Sequence, residues 1–92
     1  MFASEIVTGL WMLPVQCKMA RVAVDWGVRD LAKAADVSPD TVARLERGEA
    51  LRVGTVEAIR RALESAGVEF TNGEQPGVRL RRGYDSQQEG RV

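Results

Sequence analysis

Between Val37 and Glu49 the chain reads VSPDTVARLERGE. Arg44 and Arg47 share this stretch with Asp40, Glu46 and Glu49, and with the hydroxyls of Ser38 and Thr41. An arginine fork matches a phosphate or the edge of a guanine, whereas a carboxylate repels phosphate and can accept from cytosine. The chemistry on offer is therefore binding rather than bond-making. The chain has no histidine, so it lacks the usual general base and the commonest metal ligand. Its one cysteine, Cys17, has no neighbouring base in sequence and falls on the inner stripe of a helix, which suits a core thiol. The acids are scattered. No catalytic residue, no metal site and no cofactor is expected.

The elements around that stretch can be read from their punctuation. Ser38 can cap a helix, Pro39 suits its first position, and Asp40 meets the positive end of the helix dipole. Val42 and Leu45 would face inward, and Gly48 is a natural stop. Upstream, Pro14 opens a helix predicted to run to Asp25, with Cys17, Ala20, Val24 and Arg21 towards the inside. Val28 to Ala35 gives a second helix with Leu31, Ala32 and Ala35 on its apolar face, and Asp36-Val37 links it to the third. Downstream, Leu51 to Gly54 is predicted as a connection, and Thr55 as the cap of a fourth helix buried through Val56, Ile59, Leu63 and Ala66. The segments 68–70 and 78–81 alternate and could pair as a hairpin across the turn residues TNGEQPG. Residues 1–13 could be a strand, a loop or a packing arm, and residues 83–92 are polar and expected to be disordered. Trp11 and Trp26 are expected to pack rather than to stack on bases.

Length and composition bound the reading. Ninety-two residues suffice for one small domain with a modest core, which a dimer would help to stabilise. Thirteen basic residues balance thirteen acidic ones, and residues 28–52 hold five of each sign. That balance argues against a strong non-specific DNA binder but not against a specific one. The apolar run VTGLWML is too short to span a membrane, and a lone cysteine fits a reducing compartment, so a cytoplasmic location without membrane contact is expected.

The pattern DLAKAADVSPDTVARLERG resembles the Cro/C1-type (XRE) helix-turn-helix family of small bacterial or phage regulators. The matching residues are Leu31-Ala32, Val37-Ser38, Thr41-Val42 and Leu45-Glu46-Arg47-Gly48, and the likeness spans roughly 15–66. It implies a mainly α, four- to five-helix, lambda-repressor-like domain over 14–67. A small C-terminal β-hairpin would follow over 68–82, and residues 1–13 would serve as a packing or dimer arm. The resemblance makes Val28 to Ala35 the positioning helix and Ser38 to Arg47 the recognition helix. Pro39, Asp40, Thr41 and Arg44 then become base contacts, with Arg44 the best reader. Arg47 and Arg52 become phosphate contacts. It also implies an ion pair between Arg21 and Glu46, holding the first helix to the third. The implied partners are duplex DNA and a second copy of the chain, with RNA polymerase or another regulatory protein as further candidates.

The chain departs from the family at informative points. Gly27-Val28 stands where Ser-Gln is common, which removes a phosphate-clamping side chain. Glu49 stands where a basic residue often follows the glycine, and it would repel a phosphate it faced. Two roles follow: a sequence-specific DNA-binding repressor or autoregulator, or a protein-interaction module on the same fold, antiactivator or antitoxin-like. Arg44, Arg47 and Arg52 favour the first, and the neutral charge with Glu49 favours the second. Arg79, Arg81 and Arg82 fit either a solvated strand face or a flanking phosphate contact.

Overall fold

The computed structural model describes residues 6–7, 12–71 and 74–81. Among these the order is β1 (Ile6–Val7), α1 (Pro14–Ala23), α2 (Val28–Ala35), α3 (Pro39–Glu46), β2 (Leu51–Arg52), α4 (Val53–Ser65), β3 (Val68–Thr71) and β4 (Gly77–Leu80). This is a mainly helical domain with a small antiparallel hairpin, as the sequence implied, and four helices lie within the described residues. The tail 83–92 lies outside them.

Each helix end has a local cause. Pro14 starts α1, and Gln16 reaches back so that its Oε1 accepts the Leu13 N–H at 2.8 Å. The helix stops at Ala23, two residues before the expected Asp25, because Asp25 turns into the left-handed region (φ 61). Helix α2 has glycine as its N-cap, and Asp30 compensates by accepting the Gly27 N–H at 2.8 Å. It ends through Asp36 (φ 60), with the Val37 N–H donating to Ala32 O at 2.9 Å. Ser38 caps α3 by accepting the Thr41 N–H at 3.1 Å.

The end of α3 is a Schellman turn. Gly48 N–H donates to Leu45 O at 2.9 Å and Glu49 N–H to Arg44 O at 3.0 Å, with Gly48 at φ 91. A Cβ on Gly48 would meet nothing within 4 Å, so Gly48→Ala is a purely conformational test. It is expected to destabilise by about 1–2 kcal/mol. Gly54→Ala, inside α4 and equally open, should be neutral or stabilising by about 0.5 kcal/mol. Urea titration of both variants checks the contrast.

The start of α4 differs from the sequence expectation. The helix begins at Val53 with Arg52 rather than Thr55 as its N-cap, and Leu51-Arg52 is a strand rather than a connection. The reason is tertiary. Ile6↔Arg52 and Val7↔Leu51 pair antiparallel, which fixes the residues before the helix in extended form and buries Leu51. Part of the N-terminal arm is thus a strand against the domain.

The core is one cluster. Cys17 and Ala20 of α1, Leu31 and Ala32 of α2, Val42 and Leu45 of α3, and Val56, Ile59 and Leu63 of α4 converge in it. Met12 joins it from the LWML segment, and Val68 from β3. Trp26 packs against its edge. The hairpin registers Val68 with Leu80 and Thr71 with Gly77, and it lies against α1 and α4. One polar side chain among the described residues is buried: Gln16. Its Nε2 donates to Thr71 O at 2.8 Å and to Gly77 O at 3.0 Å, so one amide ties α1 to both hairpin strands.

Candidate nucleic-acid interface

Helices α2 and α3 pack together through Leu31, Ala32, Val42 and Leu45, so the solvent face of α3 is left open. Pro39 and Asp40 are exposed on its first turn. Thr41 is half-buried, with its hydroxyl 2.8 Å from that of Ser38. Beside them lies a surface groove of about 550 Å³. Ser38, the cap of α3, lines it with Thr41 and Arg44 of that helix, and Arg52 of β2 and Thr55 of the first turn of α4 line it from the other side. The groove therefore gathers Thr41, Arg44 and Arg52, which lie up to eleven residues apart in sequence. Pro39, Asp40 and Arg47 do not line it.

Arg44 and Arg47 are not bare cations. Glu49 Oε1 accepts from Arg44 Nε at 3.0 Å, and Oε2 accepts from Arg47 Nε at 3.2 Å and Nη2 at 2.9 Å. The Schellman turn carries Glu49 back over the last turn of α3 and makes this geometry possible. Hydrogen bonds from Arg47, and then Arg44, hold the Glu49 carboxyl below the usual carboxylate range, so it is ionised at neutral pH. The three side chains are about half exposed, at 43% for Arg44, 56% for Arg47 and 45% for Glu49, so the cluster adds little stability and is free to be remade. The sequence suggested simple repulsion between Glu49 and a phosphate. The structure instead shows Glu49 already bonded to both arginines of the recognition helix.

Arg52 is exposed and has no carboxylate partner among the described residues. Arg79 is engaged across the hairpin with Glu69 at 3.0 Å, which suits a solvated strand face. Arg21 and Glu46 meet through Nε–Oε2 at 2.9 Å and Nη2–Oε1 at 3.1 Å, and Arg21 Nη1 donates to Trp26 O at 3.1 Å. Glu46 thus points away from the groove, into the contact between α1 and α3. Cys17 Sγ lies 3.5 Å from Glu46 Oε2, and burial first, then the Glu46 charge, push its thiol far up, leaving it unreactive.

A model of the helix-turn-helix domain family matches residues 16–71, more than half of the chain. The protein belongs to this family. The match spans the helix-turn-helix pair, the groove and the first hairpin strand, and the family is associated with XRE-like DNA-binding regulators. This helix-turn-helix protein is accordingly a DNA-binding regulator in general terms. No curated protein matches the sequence. Among the described residues no helix is long and apolar enough to cross a membrane.

Two features of this helix-turn-helix domain escaped the sequence reading. The Gln16 bridge had a signal, since glutamine at the third position after a helix start often bonds back to the cap. The reach of Glu49 to both arginines had only the indirect signal of Gly48, which reverses the chain.

Proposed function

We propose that the protein binds duplex DNA sequence-specifically as a homodimer and acts as a repressor or autoregulator. What supports this reading most is the groove that gathers Thr41, Arg44 and Arg52 beside the exposed first turn of α3. In it, Arg44 reads a base, with Pro39, Asp40 and Thr41 as further base contacts, and Arg47 and Arg52 hold phosphates. The protein catalyses nothing in this reading. Residues 14–67 form the binding domain, and the arm 1–13 or the hairpin 68–82 supplies the dimer surface. Two copies would then present α3 to successive major grooves, roughly 34–36 Å apart.

Selection from random duplexes at two salt concentrations tests this. Enrichment of a palindromic site is expected. Arg44→Ala should then lose about 1–3 kcal/mol of discrimination at one base pair. Arg52→Ala should weaken all duplexes alike and reduce the salt slope by about one. The absence of any enrichment, together with stable co-purification of a second protein, would overturn it.

One observation favours a second reading, a protein-interaction module with little DNA binding. Glu49 offsets part of the positive charge of α3, so the face is less attractive to phosphate than its arginines suggest.

A further inference from the structure

The Glu49 cluster has a directional geometry that total charge does not capture. Glu49 takes the Nε–H of Arg44 and leaves both terminal nitrogens of that guanidinium free of it. A guanine edge needs two parallel donors, and the outer nitrogens of an arginine supply them. On Arg47, Glu49 takes both the Nε and the Nη2 donors, which are the pair that would grip a phosphate oxygen. Arg44 lines the groove and Arg47 does not. The carboxylate therefore leaves the groove arginine its outward donors and occupies those of the arginine outside it.

We propose that Glu49 is a specificity-setting residue: it braces Arg44 for a base edge while competing with DNA phosphate for Arg47 and for the side of Arg44. It is a positioning residue, acting through the arginines rather than on the DNA. The proposal rests on the DNA-binding reading above. Three further facts support it. The Schellman turn fixes where Glu49 leaves the helix. The carboxyl remains ionised, as its downward shift requires. The near absence of net charge over 28–52 makes each neutralised arginine a large part of the local attraction to DNA.

A phosphate approaching Arg47 must displace the carboxylate, and this holds for any sequence. A guanine approaching the outer face of Arg44 need not. Removing the charge frees Arg47 for phosphate on every duplex, but it also unbraces Arg44, which only the selected duplex uses for a base edge, so the net gain should be larger on wrong sequences than on the right one. The experiment uses the full chain and Glu49→Gln, a duplex selected from a random pool by the wild type, and a scrambled duplex, at two salt concentrations. Glu49→Gln is expected to bind the scrambled duplex about fivefold tighter and the selected one less than about twofold tighter. Its log–log salt slope should steepen by about 1–2. Glu49→Asp, with the charge on a shorter stem, should fall between the two proteins. Unchanged thermal melting would show that the fold is intact, as expected for an exposed side chain. Equal tightening on both duplexes, or no change on either, would overturn the proposal and leave the DNA-binding reading standing. If neither protein enriches any duplex, that reading fails and the proposal falls with it.

Discussion

Arg21→Met is expected to lower stability by about 3–5 kcal/mol, a large share of what a domain of this size has to spare. The side chains of Arg21 and Glu46 are only 13% and 10% exposed, so this pair is nearly out of water. Removing the guanidinium strips Glu46 of two charged hydrogen bonds and Trp26 O of one. A carboxylate left with only a thiol at 3.5 Å is poorly compensated. Glu46→Leu alone should cost a similar amount, because it strands the guanidinium instead. The double variant Arg21→Met/Glu46→Leu should return to within about 1 kcal/mol of wild type, since it abolishes both desolvation costs together. Urea denaturation of the four proteins completes the cycle, and an additive double variant would sink the argument. The cycle also bears on function. If the pair only joins α1 to α3, DNA binding by each single variant will track its folded fraction, and the double variant will bind normally. Loss of binding in a fully folded double variant would place Glu46 at the DNA after all.

How much of this was legible beforehand depends on the range of the interactions. Val56, Ile59 and Leu63 repeat at helical spacing, so the buried face of α4 can be read from the chain, and all three are buried. Ser38, Pro39 and Gly48 bracket α3 through purely local chemistry, and the helix runs between them as expected. The start of α4 could not be read this way. Thr55 is the better cap by type, but the pairing of Leu51 and Arg52 with Ile6 and Val7, more than forty residues away, sets the boundary three residues earlier. Tertiary pairing overrode a preference worth about 1 kcal/mol. The groove was half legible: Thr41 and Arg44 share a helix, but Arg52 joins them only because β2 brings the start of α4 alongside. Glu49 shows the same limit in reverse. Its charge was obvious, but the sign of its effect depends on which donors it occupies, and only the left-handed turn at Gly48 decides that.

Gln16 should prove the most sensitive polar position outside the ion pair. Gln16→Leu keeps the volume but leaves the Leu13 N–H, Thr71 O and Gly77 O without their partner, at a cost of about 3 kcal/mol. Gln16→Glu should be worse at neutral pH. It keeps an acceptor for Leu13 N–H, but it turns an oxygen towards the two carbonyls that the amide nitrogen now satisfies. Burial and those carbonyls would raise the folded-state pKa of the new carboxyl above its unfolded value. The folded variant would then bind the proton more tightly, so its stability should rise as pH falls through that raised pKa and be lost as pH rises. Wild type should show no matching recovery on acidification, and the difference between the two pH profiles isolates the residue. The hairpin registers the loss first: amide exchange at Phe70 and Thr71 should accelerate before exchange in α2 and α3, because Gln16 holds β3 and β4 to α1 while α2 and α3 are held by the core. Uniform acceleration across the domain would mean that hairpin and helices unfold as one unit. A selective effect would leave a helix-turn-helix with a loosened hairpin, and sedimentation of that variant asks directly whether the hairpin carries the dimer contact. Dimerisation unchanged with the hairpin exchanging freely would shift that contact to the N-terminal arm.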